Sequence, residues 1–274
     1  MMEKVQKVER KPLRLEIIRS RLGGSSFARN IVYYDTIDST NAVAKTLAIN
    51  GAPDGTVVLA EQQSQGRGRM GRNWLSEGYV NILLSVLIRP RVPAEDAFSL
   101  TMAFALAAAY GAESVCNQRV MIKWPNDIYF SGKKLGGILT EVSVSGGSVD
   151  YMILGLGLNV NWKPADDVPV LYETTSLLEG SGAWVDREEL LIEILKRFDS
   201  YYQQGLLADI DGIYEAWNRR SMLFDRIVEI ETGDTMIKGR AIRIDRKGAL
   251  IVLDDSGMEQ RILNGDVSVI SQAL

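Results

Sequence analysis

Residues 120–158 read VMIKWPNDIYFSGKKLGGILTEVSVSGGSVDYMILGLGL. Apolar and β-branched residues predict four strands here: Val120 to Trp124, Asp127 to Phe130, Leu135 to Val144 and Val149 to Leu158. Ser131-Gly132 and Gly146-Gly147 are turn pairs, and links this short join only antiparallel neighbours. The middle of the chain is therefore a run of hairpins, and the remaining elements have to be fitted around it.

Toward the N-terminus, Ile31 to Tyr34 and Thr56 to Ala60 read as strands on either side of a helix from Thr40 to Ile49. Asp38 and Ser39 can cap that helix, and Asn50-Gly51 stops it. Val80 to Ile88 is another strand, and Pro90 and Pro93 precede a long helix from Ala94 to Val115 whose alanines suit close packing on a sheet. Helical patterns return at Arg187 to Gln203 and Asp211 to Arg219. The fold class is α+β with a mixed β-sheet. From Met222 the texture changes to closely spaced short strands, Ile227 to Glu231, Thr235 to Asp245, Ala249 to Leu253, Glu259 to Leu263 and Val267 to Ile270, the pattern of a small barrel. The expected organisation is a short basic N-terminal extension over 1–28, a core over 29–220 and a barrel over 222–274. The extension carries seven Lys/Arg against three Glu and one predicted helix, Leu13 to Leu22, ended by Gly23-Gly24. It can pack on the core, contact a partner or stay disordered.

The 274-residue chain is 46% hydrophobic and 24% charged, which supports a core without metal or disulfide staples. It has no histidine, which removes Ser-His-Asp and Cys-His nucleophiles and histidine-bearing zinc sites together. Chemistry must then run on Lys, Arg, carboxylates and backbone. A lone Cys116 cannot form an internal disulfide, fits a reducing compartment and reads as a packing residue. No apolar h-region follows the first residues, and the longest apolar runs, such as Met102 to Tyr110, fall short of a membrane span. A cytoplasmic protein with no membrane partner is expected. The net charge of −4 argues against a dedicated nucleic-acid binder.

Gly66-Arg67-Gly68-Arg69-Met70-Gly71-Arg72 packs three arginines and three glycines into one heptad after a strand. Glycine lets backbone approach a ligand, and guanidinium forks match carboxylate and phosphate oxygens. The loop reads as an anion clamp, with a mobile surface loop as the alternative. No GxxxxGK[ST] P-loop occurs. Lys123 ends an apolar strand before Trp124-Pro125-Asn126-Asp127, either snorkelling to the surface or aimed at a buried anion. Asn126 and Asp127 cap a turn, or the Asn126 amide at the strand end reads the edge of an adenine. In Lys133-Lys134-Leu135-Gly136-Gly137-Ile138-Leu139-Thr140-Glu141, strand alternation puts Lys134, Gly136, Ile138 and Thr140 on one face, a lysine beside bare backbone. Gly155-Leu156-Gly157-Leu158-Asn159-Val160-Asn161 ends another strand. Trp74 either stacks on a flat ring or joins the core.

Taken in order, Ser39-Thr40-Asn41, Gln63, the GRGRMGR loop with Trp74, KWPND, KLGGIL with Glu141, and GLGLNVN resemble the biotin protein ligases. The resemblance runs from about Ile31 to the C-terminus, where Gly265-Asp266-Val267-Ser268 looks like that family's closing barrel. It implies a catalytic domain of the biotin/lipoate ligase type with an SH3-like C-terminal barrel. It also implies an enzyme that makes biotinyl-5'-adenylate from biotin and ATP and passes the biotin to a lysine of a biotin carboxyl carrier protein.

By the same resemblance Arg69, Lys134 and Lys123 are catalytic. Arg69 and Lys134 face the biotin carboxylate and α-phosphate, and Arg72 and Lys123 face the departing pyrophosphate, with Mg2+ on the phosphate oxygens. Ser39, Thr40, Asn41, Gln63 and the backbone of Arg67 and Gly68 hold the ureido end, and Gly136 and Gly137 make room for it. Asn126 and Asn159 contact the nucleotide, and Trp74 packs on the ligand. The glycine-rich loop is expected to be mobile without ligand and to close over the mixed anhydride, excluding water. Too few residues precede Ile31 for a winged helix-turn-helix, so no DNA binding is expected, and self-association into a homodimer is left open. A lipoate or octanoate ligase is the competing enzyme, but the GRGR loop with KWPND and KLGGIL fits the biotin group better. An RNA-binding module is the competing class, and the acidic chain and the lack of aromatics in the arginine loop count against it. A catalytically dead interaction protein does not fit the intact set of Arg69, Lys123 and Lys134.

Overall fold

The computed structural model describes residues 10–163, 173–203, 209–233 and 235–272. Strands β1 (Ile31–Ile37), β2 (Thr56–Gln63), β3 (Ile82–Ile88), β4 (Val120–Lys123), β5 (Asp127–Phe130), β6 (Lys133–Ser145) and β7 (Ser148–Leu158) form one sheet, in the order β1-β2-β3-β7-β6-β5-β4. β1 and β2 are parallel and every other pair is antiparallel, so the sheet is mixed. The β5–β6 and β6–β7 turns place Ser131, Gly132, Gly146 and Gly147 at φ 50°, 78°, 58° and 81°. That left-handed backbone at both central positions matches the twist of the flanking strands.

The interior strand β3, ILLSVLI, is buried at every position because both faces of the sheet are covered there. The helices are α1 (Leu15–Leu22), α2 (Thr40–Ile49), α3 (Ala97–Cys116), α4 (Leu177–Ser181), α5 (Arg187–Gln203) and α6 (Ile210–Asn218). α3 packs on the sheet and against α5 and α6 to make the main core. Only α2 sits on the opposite face among the described helices that build the cores, resting Ala44 and Ala48 on Val58, Leu87 and Ile153. The part of that face beyond the N-terminus of α2 is left for the site.

With its leading 3-10 turn, α3 is longer than the apolar run Met102 to Tyr110 suggests. Ala94–Cys116 is long and apolar enough to cross a membrane by length and composition, yet 72% of its apolar 18-residue stretch is buried inside the protein. A helix with apolar neighbours on nearly every side acquires that composition in a protein core as it does in lipid. Cys116 packs in this core, and burial pushes its thiol pKa up.

Of the fates open to the N-terminal extension, residues 10–28 pack on the core; residues 1–9 lie outside the described residues. Leu13, Ile18, Leu22 and Phe27 join the main core, and Phe27 stacks on Phe198 with ring centroids 5.3 Å apart. Each such side chain contributes about 1.5–3 kcal/mol of burial. Beneath them Glu61, fully buried in β2, pairs with Arg187 at 2.6 Å and accepts from Leu13 N at 2.7 Å and from the Tyr33 hydroxyl at 3.0 Å.

The C-terminal strands β8 (Arg226–Thr232), β9 (Thr235–Ile244), β10 (Leu250–Leu253), β11 (Glu259–Ile262) and β12 (Asp266–Gln272) form an antiparallel SH3-like unit in the order β11-β10-β9-β8-β12. Val228, Ile230, Ala241, Leu250 and Val252 fill its interior. Trp124, buried at the end of β4, donates its indole N–H to Gly248 O at 2.8 Å and ties this unit to the large sheet.

Candidate active site

A cleft on the α2 side of the sheet is walled by the arginine loop, the KWPND turn, β6, Asn159 and the segment Gly265–Ser268 of the C-terminal unit. Arg69, Arg72, Lys123 and Lys134 all line it, although they come from three separate stretches of chain. Burial pulls the pKa of both Arg69 and Lys123 below the usual range; the Asp127 carboxylate opposes this, and neighbouring cations reinforce it. Lys134 Nζ lies 2.8 Å from Asp127 Oδ1, and Arg72 is paired with Asp266. Arg69 Nη1 is 3.4 Å from Asn126 Oδ1 and 3.5 Å from Gly265 O, so the C-terminal unit and the KWPND turn both hold the loop. The cations thus converge on one space and are partly desolvated, which strengthens their pull on an anion.

The floor of the cleft corrects the expected alternation along β6. Ile128 pairs with Gly136 but Tyr129 pairs with Lys134, so Leu135 is an extra residue in a β-bulge. The bulge turns Lys134 onto the face of Gly137 instead of that of Gly136. A Cβ on Gly137 would come within 3.8 Å of Lys134 Cε and 3.7 Å of the Trp74 ring, whereas one on Gly136 would meet Gly157 O and Leu158. Gly136 therefore makes no room in the cleft. Its expected place is taken by Gly157, where a Cβ would run into the Trp74 ring at 2.5 Å. Trp74 is neither core nor free: its ring lies over Gly137 and Gly157, 6.0 Å from Lys134 Nζ, and its Nε1 is buried without a hydrogen-bond partner.

Next to this floor sits an uncharged polar cluster from the start of α2 and the end of β2. Ser39 occupies the N-cap position, but its side chain makes no capping bond. Gln63 Oε1 does that work, accepting from Thr40 N at 2.7 Å and Thr40 Oγ1 at 3.1 Å. Asn41 departs from the expected ligand-binding role. It is buried, donates to Leu139 O and Glu141 Oε1, and faces Ser85 through Oδ1, while a Cβ on Gly155 would collide with that oxygen. Both of its amide hydrogens brace α2 on β6, its oxygen faces β3, and the side chain fills the space that Gly155 leaves on β7. Gln63 Nε2 lies close to Gly66 at the root of the arginine loop, so this cluster adjoins the cationic one.

Asn126 donates to Ile138 O at 2.6 Å and turns its own carbonyl oxygen toward Arg69. Asn159 donates to Thr175 O, and its Oδ1, which belongs to a cleft-lining residue, is buried without a partner. An orphaned buried acceptor at a cleft wall is suited to a ligand's N–H or O–H. The pairing of Asp127 and Asp266 with the cations was not foreseen from sequence, and Ser85, Glu61 and Arg187 were passed over. The one signal for Ser85 is a polar residue inside an otherwise apolar strand.

The fold and the cleft define a class. The model of the biotin/lipoate A/B protein ligase family matches residues 33–159, and that of the biotin protein ligase C terminal domain matches residues 223–269. The chain is 33% identical to the bifunctional ligase/repressor BirA of Bacillus subtilis, over 92% of its own length and 78% of that protein's. It is also 33% identical to the biotin--[acetyl-CoA-carboxylase] ligase of Mycobacterium tuberculosis, over 94% of this chain and 96% of that one. The solved structure of biotin protein ligase from Aquifex aeolicus in complex with biotin and ATP matches with a TM-score of 0.75 at 28% identity, covering 89% of this chain and 100% of that one. The chain belongs to the biotin protein ligase family and is an ATP-dependent ligase.

Proposed function

We propose that the cleft joins biotin to AMP and then hands the biotin to a carrier protein. The observation that carries this reading is the convergence of Arg69, Arg72, Lys123 and Lys134 on one cleft. Two anions, a carboxylate and an α-phosphate, must approach bonding distance there, and fixed cations in a partly dry site offset their repulsion.

Biotin lies with its ureido ring at Ser39, Thr40 and Gln63 and its carboxylate at Arg69 and Lys134. A carboxylate oxygen attacks the α-phosphorus, the acyl–O–P bond forms, and the α–β bridging P–O bond breaks to release pyrophosphate. Arg72 and Lys123 take the charge of that leaving group. Asn159, with its unpartnered buried oxygen, and Asn126 face the nucleotide. In the second step the amine of the carrier lysine attacks the acyl carbon, the acyl C–O bond breaks, AMP leaves, and the amine loses a proton. The carrier is a biotin carboxyl carrier protein or domain, and the setting is the cytoplasm.

Mg2+ accompanies ATP. The ion is expected on the phosphate oxygens, with water completing its shell. Asp127 and Asp266 are the carboxylates among the residues that line the cleft, each paired with one of its cations.

The test is biotin-dependent exchange of labelled pyrophosphate into ATP, with lipoate as competitor. Exchange that needs biotin and resists excess lipoate is expected. Exchange supported by lipoate in place of biotin would move the assignment to the sister activity of the fold.

A further inference from the structure

Ser85 is the one polar residue of β3, and it is 0% exposed. An alanine or valine would pack in the same strand without a polar group to satisfy, so the hydroxyl needs a reason. Its Oγ lies 2.8 Å from Thr40 Oγ1 and 2.7 Å from Asn41 Oδ1. Both hydrogens of the Asn41 amide are given to Leu139 O and Glu141 Oε1, so Asn41 Oδ1 can only accept. Ser85 has a single hydroxyl proton for these two neighbours.

Where that proton goes decides what Gln63 presents. If Ser85 donates to Thr40, the Thr40 proton goes to Gln63 Oε1, which also accepts from Thr40 N. Oε1 is then satisfied twice, and Gln63 offers the cleft only the N–H donors of Nε2, suited to a carbonyl oxygen. If Ser85 donates to Asn41, Thr40 turns its proton back to Ser85, and Gln63 Oε1 regains an acceptor position, suited to an N–H. A ureido ring carries one carbonyl and two N–H groups, so the two senses of this hydroxyl chain match its two kinds of edge.

We propose that Ser85 is a positioning residue for biotin's ureido ring: its one proton sets the direction of the Thr40 hydroxyl, and through it the hydrogen-bonding face of Gln63. The proposal rests on the placement of the ureido ring at Thr40 and Gln63.

The experiment is steady-state adenylation by the full chain, with KM for biotin and for ATP measured separately for Ser85→Ala, Ser85→Cys, Thr40→Val, Gln63→Ala and the pair Ser85→Ala/Thr40→Val. Ser85→Ala is expected to raise KM for biotin about tenfold, the scale of one buried hydrogen bond, with kcat and KM for ATP within about twofold. Ser85→Cys, which keeps a weaker donor of similar shape, recovers part of the loss and carries the test if the alanine variant does not fold. In the Thr40→Val background Ser85→Ala adds nothing, since it acts through Thr40. Equal rises in both KM values, or additive effects in the pair, overturn the role of Ser85. If Thr40→Val and Gln63→Ala leave KM for biotin unchanged, the placement of the ureido ring falls and this inference with it. If they raise it while Ser85→Ala does not, only the inference falls.

Discussion

Asp127 Oδ1 stands 2.8 Å from Lys134 Nζ, and the same carboxylate raises the pKa values of Arg69 and Lys123 against the burial that lowers them. One anion thus serves three cations gathered in a partly dry cleft. Asp127→Asn is expected to destabilise the protein by about 1–3 kcal/mol, because the cations lose the charge that offsets their desolvation. MgATP should restore the lost melting temperature, raising it further in the variant than in the parent. A thermal-shift titration checks this, and an unchanged melting temperature without nucleotide would contradict it.

Burial holds Lys123 below its ordinary pKa of 10.5. Between that lowered value and 10.5 the unfolded chain binds more protons than the folded one, so this group's contribution to stability rises with pH through that window. Below the window the folded protein bears the full cost of a desolvated ammonium. Lys123→Met should therefore raise the melting temperature at neutral pH while cutting adenylation by about 100-fold or more, a trade of stability against function. In the parent enzyme, adenylation should fall on the alkaline side at a pH below that of an ordinary lysine. A pH profile of pyrophosphate exchange that stays flat to pH 10.5 would speak against the assignment.

The Trp74 ring lies on the shelf made by Gly137 and Gly157, with its Nε1 buried and unpartnered. A ligand reaching from Thr40 to Lys134 needs that shelf, so the ring must shift on binding. Biotin should change the tryptophan fluorescence of the parent protein much more than that of Trp74→Phe, whose cleft keeps Trp124 and Trp162. A signal of the same size in both would place the ring outside the binding path.

Glu61 and Arg187 form the buried pair under the N-terminal segment, and Arg187 also donates to Asn81 O at 2.9 Å. Glu61→Gln leaves the guanidinium buried without its counter-charge and should cost about 3–5 kcal/mol in urea unfolding. A loss below about 1 kcal/mol would mean that water reaches the pair.

Apart from the short helix α4, which the sequence reading missed, the order of strands and helices was legible because each element carries a local signal. The turn pairs at Ser131 and Gly146, the β-branched run of β2 and the short strands after Met222 predicted their elements to within a few residues. The cations were legible because arginines and lysines beside glycines have few structural uses. What was not legible depends on register and long-range contact. The bulge at Leu135, which exchanges Gly136 for Gly137 beside Lys134, has no sequence mark of its own. Capping of α2 by Gln63 instead of Ser39 needs two segments brought together by the fold. The resemblance puts Asn41 among the ligand contacts, and only its neighbours in space reveal a brace.

The central claim is that this cationic cleft activates biotin for transfer to a carrier lysine. The most direct measurement is intact-mass analysis of a biotin carboxyl carrier domain incubated with biotin, MgATP and the parent enzyme, Lys134→Ala or Arg69→Ala. One biotin added to one lysine by the parent, and lost or slowed at least about 100-fold by each variant, is the expected result. No adduct from the folded parent, or full transfer by both variants, would contradict the account.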